Sequence, residues 1–323
     1  MNALQTTSVG SFPKPEYLTR ARAKASKGEL SEEGLRSLEE KATTEWLRFQ
    51  DEIGIDILVD GEQYRGDMAT YFAENLDGTE ISGLVRSYGN RYYKKPIIVD
   101  ELKRRGPISV DWFRFAQGQT KRPVKGMITG PYTMMDWSFD EYYGSRTEAC
   151  LAFAKLLHEE AVALEAAGAK VIQVDEPALS SRFDELPLLV KAVGAVTKGL
   201  EARTVLHTCY GNYNEIFEYF NQLPVDQLDL EMSNSGLDLL DRFKREPLKK
   251  EIAFGVVDVH SHVVEPASLI RERIEKALTI FAPSKLFIDP DCGLKTRSIE
   301  EAQAKLRNMT AAARAVRTSH GWT

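Results

Sequence analysis

Short apolar runs of strand length recur along this chain, each ending in a polar or small cluster and most followed by a helical pattern. They are TTSVGSF at 6–12, DILVDGE at 56–62, VKGMITG at 124–130, KVIQVDE at 170–176, TVLHTC at 204–209, QLDLEMS at 227–233, IAFGVVDVH at 252–260 and KLFIDPDCG at 285–293. Between them lie patterns such as RTEACLAFAKLLHEEAVALEAAG at 146–168, with apolar residues at helical spacing and a glycine after the last turn. Eight strands, most followed by a helix, predict an α/β fold: a single (β/α)8 TIM barrel spanning residues 1–323. Residues 13–45 and about 63–123 are too long for simple connections and are expected to be elaborated loops over the C-terminal face. Neither a short-period repeat nor a Pro/Gly-rich linker divides the chain.

Composition narrows the partners. With 43% hydrophobic and 28% charged residues, the 323-residue chain has the make-up of a soluble globular protein with a large core. A formal net charge of -6 without long single-sign blocks excludes a nucleic-acid groove and a polybasic membrane contact, leaving a small-molecule partner. The start, MNALQTTSVGSFPKP, lacks the features of a signal peptide, and no apolar stretch approaches the ~18 residues of a membrane span, so a cytoplasmic location is expected. Three scattered cysteines, Cys150, Cys209 and Cys292, form no disulfide framework and are expected to be free thiols or metal ligands.

In a barrel of this kind the strand C-termini form one rim, where catalytic groups gather. Here those ends carry Ser11, Glu62, Asp175, His207 with Cys209, Glu231, His260 and Cys292. Residues two apart in a strand face the same side, so His207 and Cys209 reach one ion while Thr208 faces away. Cys292 and Glu231 are candidates to complete the set, and thiolate with imidazole suits zinc. For the pair alone, a small core cysteine beside a hydrogen-bonded histidine is the commoner arrangement.

The wider sequence shifts that balance. The segments SVGSFP (8–13), DGEQYRGDMATYF (60–72), SYGNR (87–91), KGMITGPYTMMDWSF (125–139), IQVDEPAL (172–179), HTCYG (207–211), DLEMSNS (229–235), VDVHS (257–261) and IDPDCGLKTR (288–297) together resemble the C-terminal catalytic half of cobalamin-independent methionine synthase. The resemblance implies that His207, Cys209, Glu231 and Cys292 hold zinc. It implies that homocysteine lies against Val9, Gly10 and Ser11, with Glu62 and Asp175 taking its ammonium group. An amino-acid cation offsets the desolvation of two buried carboxylates, although structural ion pairs would do the same. Methionine is then the product, Glu231 the ligand that yields to the substrate sulfur, His260 the proton donor, and Arg91 and Trp137 contacts to a pterin.

At the methyl donor the chain departs from the family. The family's glutamate shortly after DEPAL is replaced by Ser181, Tyr92 stands for a smaller residue, and the N-terminal barrel of full-length members is not in this sequence. The resulting expectation is a methylcorrinoid donor, methylcobalamin or a corrinoid protein partner, under which His260 would matter little. The alternatives are a methyltetrahydrofolate-dependent enzyme, a coenzyme M alkyltransferase, and a non-catalytic zinc- or corrinoid-binding module. His158, His262 and His320 carry no motif and are expected to be structural or solvent-facing, and Cys150 core.

Overall fold

The computed structural model describes residues 3–86, 92–209, 211 and 213–322, with the backbone alone for Tyr92, Tyr93, Ser180 and Ser181. The secondary structure is that of the (β/α)8 class, and the chain divides into two compact units. One comprises Arg65–Asp111 and Gly126–Gln227; the other Met1–Tyr64, Trp112–Lys125 and Leu228–Thr323.

In the first unit, strands Gly126–Thr129, Val171–Asp175 and Arg203–Thr208 run parallel in that order. Nearly every residue in them is buried, as expected of strands covered on both faces, the polar Gln173, Asp175 and His207 included. The register pairs Thr129 with Asp175 and Asp175 with His207, so these polar strand ends stand in one row. Helix Arg146–Ala166 covers this layer: Ser145 caps it by accepting from the Glu148 N–H at 3.3 Å, and Cys150, Phe153, Leu157, Ala161 and Leu164 recur on its buried face.

Segment 63–123 is more than loops. It contains helix Met68–Ala73, helix Val110–Gly118, and an antiparallel hairpin of Leu76–Arg86 with Tyr92–Arg104 whose register slips between Asp77 and Thr79 and again between Ile81 and Leu84. Burial along the first hairpin strand follows no two-residue alternation, which explains its illegibility in the sequence. Its root is held by Glu160 of helix Arg146–Ala166. That fully buried carboxylate accepts from Arg104 Nε (3.0 Å) and Nη2 (2.6 Å), the backbone N–H groups of Ile108 (2.9 Å) and Ser109 (2.7 Å), and Ser109 Oγ (2.8 Å). Five donors offset the desolvation of one charge.

In the second unit, Glu251–Val257 and Leu286–Pro290 pair in parallel. The first two expected strands, 6–12 and 56–62, are reduced to isolated parallel bridges, Thr6 with Ile288 and Leu58 with Val124. Side chains supply what the ladder lacks: Asp56 accepts from the Thr6 N–H at 2.8 Å and from Thr6 Oγ1 at 2.9 Å, and Arg317 reaches the same carboxylate. Residues 13–45, also expected to be loop, hold helix Glu16–Ala25 and most of helix Glu32–Ile53. Among the described residues no helix is long and apolar enough to cross a membrane.

Candidate metal and substrate site

His207 lies in the last turn of strand Arg203–Thr208, 3% exposed, and Cys209 follows it, 4% exposed. Cys292, half-buried, comes two residues after strand Leu286–Pro290. One ligand atom from each of the three lies within 4.8 Å of the others. Tetrahedral zinc with thiolates at ~2.3 Å sets sulfur–sulfur separations near ~3.8 Å, inside that spread. The donor set of one imidazole and two thiols therefore fits zinc.

Glu231 stands outside this three-atom group. It follows strand Gln227–Leu230, is 4% exposed, and its Oε1 lies 2.7 Å from His260 Nε2. That contact with a carboxylate raises the His260 pKa. Asp291, one residue before Cys292, holds the turn after Glu231: it accepts from the N–H groups of Met232 (3.1 Å), Ser233 (3.0 Å) and Asn234 (2.8 Å), and from Ser233 Oγ at 2.6 Å. The carboxylate needs a neighbour without a side chain. A Cβ at Gly255 would stand 2.3 Å from Asp291 Oδ1.

Glu62 has a left-handed backbone, φ 52°, directly after Gly61 at φ 76°. A non-glycine residue held there costs ~1–3 kcal/mol and is maintained where its surroundings dictate it. The surroundings are visible: the Glu62 N–H donates to Asp60 Oδ1 (2.9 Å), its carbonyl accepts from Lys14 Nζ (3.0 Å), and the Phe12 N–H donates to the Gly61 carbonyl (3.1 Å). Val9 and Gly10 are buried and Ser11 is half-buried. The Ser11 carbonyl accepts from the Leu294 N–H at 2.7 Å, so the 9–11 segment is tied both to the turn carrying Glu62 and to the segment carrying Cys292. Asp175 is buried and accepts from Gln173 Nε2 at 2.7 Å.

Of the proposed donor contacts, Trp137 caps helix Pro131–Asp136 and is half-buried, whereas Arg91 and the side chain of Ser181 lie outside the described residues. His158 Nδ1 lies 2.9 Å from the Val196 carbonyl, His262 Nδ1 2.9 Å from Glu301, and His320 Nε2 3.1 Å from Glu275. Cys150 is fully buried, and burial pushes its thiol pKa up.

Two acids escaped the sequence reading although both sit in quoted motifs. One is Asp291. The other is Glu176, fully buried beside Asp175, accepting from the N–H groups of Tyr132 (2.9 Å) and Thr133 (2.7 Å) and from Thr133 Oγ1 (2.6 Å). Gly130 makes room for it, since a Cβ there would stand 2.2 Å from Glu176 Cδ. The available signal was an acid–acid–proline run opposite a glycine–proline helix start, DEP with GPYT.

Burial pushes the Glu176 carboxyl up to about 7 against the opposing pull of its hydrogen bonds. Between the unfolded value near 4.5 and about 7, the folded chain keeps a proton that the unfolded chain has lost. The resulting stabilisation is full below 4.5 and is lost as pH rises to about 7. Metal-free protein is expected to melt at progressively lower temperature across that window, while Glu176→Gln, with an amide that does not titrate, shows a flatter profile. Parallel melting curves for the two proteins would remove this assignment.

A barrel-class fold in which one imidazole and two thiols lie within 4.8 Å of one another offers ligands for a thiophilic metal, and the comparisons place the chain among methyltransferases. The model of the cobalamin-independent synthase catalytic domain matches residues 4–315, and the chain belongs to that family. A methionine synthase of Pyrococcus furiosus is 39% identical over 315 residues, 97% of this chain and 93% of that protein. A 5-methyltetrahydropteroyltriglutamate–homocysteine methyltransferase of a Chelativorans species is 40% identical over 327 residues, 98% of this chain but 42% of that longer protein. Among solved structures, a B12-independent methionine synthase from a Shewanella species in complex with selenomethionine superposes with a TM-score of 0.89 at 30% identity, covering 99% of this chain and 100% of the other.

These findings overturn the expectation of a methylcorrinoid donor, as methylcobalamin or on a corrinoid protein partner: the family is cobalamin-independent, and the Chelativorans relative is named for a pterin donor. The physical reason lies in the weight given to Ser181. One missing hydrogen bond to a ligand is worth ~1–3 kcal/mol, enough to weaken a site but not to change what it binds.

Proposed function

We propose that this protein forms methionine by transferring the methyl group of a 5-methyltetrahydropteroylglutamate to homocysteine, with zinc held by His207, Cys209 and Cys292 and with Glu231 as the fourth ligand. The observation that carries the reading is the approach of one imidazole and two thiols to within 4.8 Å. The relatives' names support the substrate and the donor.

Zinc held by that set would supply the positive charge that favours the thiolate over the thiol, whose ordinary pKa is near ~8.5, at neutral pH. The chain's own residues do the rest. Glu62 and Asp175 bind the substrate ammonium, and the fixed backbone of Val9, Gly10 and Ser11 positions its carboxylate. Glu231, whose Oε1 lies 2.7 Å from His260 Nε2, would be the ligand suited to give way to the substrate sulfur. As the methyl group moves from the pterin nitrogen to sulfur, that nitrogen gains an electron pair and takes the proton of His260 Nε2. Arg91 and Trp137 contact the pterin in this reading, and residues 1–323 act as one catalytic barrel.

The test is methionine formation by the zinc-loaded protein from homocysteine with 5-methyltetrahydropteroyltriglutamate, alongside zinc K-edge spectra. Turnover is expected, lost on chelation and restored by zinc, with an oxygen or nitrogen ligand exchanged for sulfur when homocysteine is added. Zinc-replete protein that makes no methionine from this donor rejects the reading.

A further inference from the structure

His260 sits on an irregular stretch, residues 258–266, between strand Glu251–Val257 and helix Ala267–Leu278. Such a stretch has no ladder or helical bonds to fix it. Its order comes instead from Lys305, which reaches it from helix Ile299–Ser319 and is 0% exposed. Lys305 Nζ donates to the Asp258 carbonyl at 2.7 Å, to the Val263 carbonyl, and to Glu265 Oε2 at 3.3 Å. An ammonium has three donors, and all three are spent on the two ends of this one segment.

The network continues around the same residues. Glu265 Oε1 accepts from the Asp258 N–H at 3.1 Å and from Arg273 Nη1 at 2.6 Å, while Asn308 Nδ2 donates to the Glu265 carbonyl at 2.7 Å. Asp258 then passes the constraint inward: its Oδ1 accepts from the His260 N–H at 2.7 Å and from the Ser261 N–H at 3.3 Å. The outer end of the chain of bonds is a buried lysine, the inner end a histidine backbone. Burying an ammonium requires full pairing, and apolar residues of similar volume would pack here at lower desolvation cost. The retained charge thus serves the geometry of the loop.

We propose that Lys305 is a positioning residue for the proton donor, acting through Asp258 to hold His260 against Glu231. The proposal rests on the functional reading given above for His260, and the test separates the two. Lys305→Met is expected to lower kcat roughly 10- to 100-fold, in the range that small misplacements of a reacting group cost. The homocysteine KM should stay within about threefold and zinc content unchanged, because no metal or amino-acid contact is touched. In a His260→Ala background the same change should cost less than about twofold, since a residue acting through His260 has nothing left to act on. Asp258→Ala, which removes only the inner link, should reproduce both results and serves if Lys305→Met does not fold.

Amide hydrogen exchange of 258–266 reads the clamp without any turnover, and is expected to accelerate at least about tenfold in either variant. Wild-type protein that makes no methionine overturns the functional reading. Unchanged exchange in the loop, or a Lys305→Met cost that persists in full without His260, overturns the proposal.

Discussion

Cys209→Ser is expected to leave the protein folded but unable to retain zinc, with methionine formation lowered by roughly a thousandfold or more. Replacing even the outer hydrogen-bond partners of a metal ligand commonly costs ~10- to 100-fold in affinity, and Cys209 is one of the three described residues whose ligand atoms lie within 4.8 Å of one another. Serine keeps the shape and loses the thiolate, so His207 and Cys292 would face the ion with a neutral hydroxyl between them. The substitution removes one sulfur from a buried position without opening a large cavity, and the melting temperature of the metal-free variant should lie close to that of the metal-free parent. Metal analysis after dialysis checks the result: a variant that keeps one zinc per chain would show that Cys209 is a core cysteine after all.

His260→Ala is expected to lower kcat with the pterin donor by about 100- to 10,000-fold, the usual contribution of a positioned general acid, while leaving the homocysteine KM nearly unchanged. The pH dependence carries a second signature. Glu231 raises the His260 pKa, so the imidazolium persists further toward alkaline pH than an unpaired histidine would. Parent activity should fall toward alkaline pH as the imidazolium loses its proton, and the falling limb should vanish with the imidazole. Steady-state rates across pH for the two proteins decide it. Equal kcat values would mean that the leaving group finds its proton elsewhere.

The parts of this protein that are readable without coordinates are those in which burial and chemistry coincide. Residues 170–176 and 204–209 announce themselves as strands because a short apolar core, Val171 with Ile172 and Val205 with Leu206, ends in a polar cluster, and the His207–Cys209 spacing follows from the two-residue repeat of extended backbone. The strand at Leu76–Arg86 stays hidden because its residues are mostly half-buried or exposed without alternation, so no period survives in the sequence. Residues 6–12 and 56–62 have the composition of strands yet show only isolated bridges among the described residues, with Thr6 held by the Asp56 carboxylate and the chain turning at Gly61 and Glu62. Glu176, Asp291 and Lys305 escape a sequence reading, since a charged letter does not reveal that its side chain is sealed from water and hydrogen-bonded to backbone groups. The donor was illegible for another reason: Ser181, Tyr92 and the absent N-terminal barrel are departures around a ligand, and departures do not name the ligand that is bound.

The Leu76–Arg86 and Tyr92–Arg104 hairpin, rooted on Glu160, behaves mechanically as a cantilever. Its base cannot swing without stripping five donors from a sealed carboxylate, so compliance is confined to the arm itself, at the two register slips near Asp77–Thr79 and Ile81–Leu84. An arm stiff at the root and jointed along its length can lengthen, shorten or change its outer residues over evolutionary time without disturbing the helix that anchors it. Change in the arm is thereby uncoupled from the root that holds the hairpin to its helix.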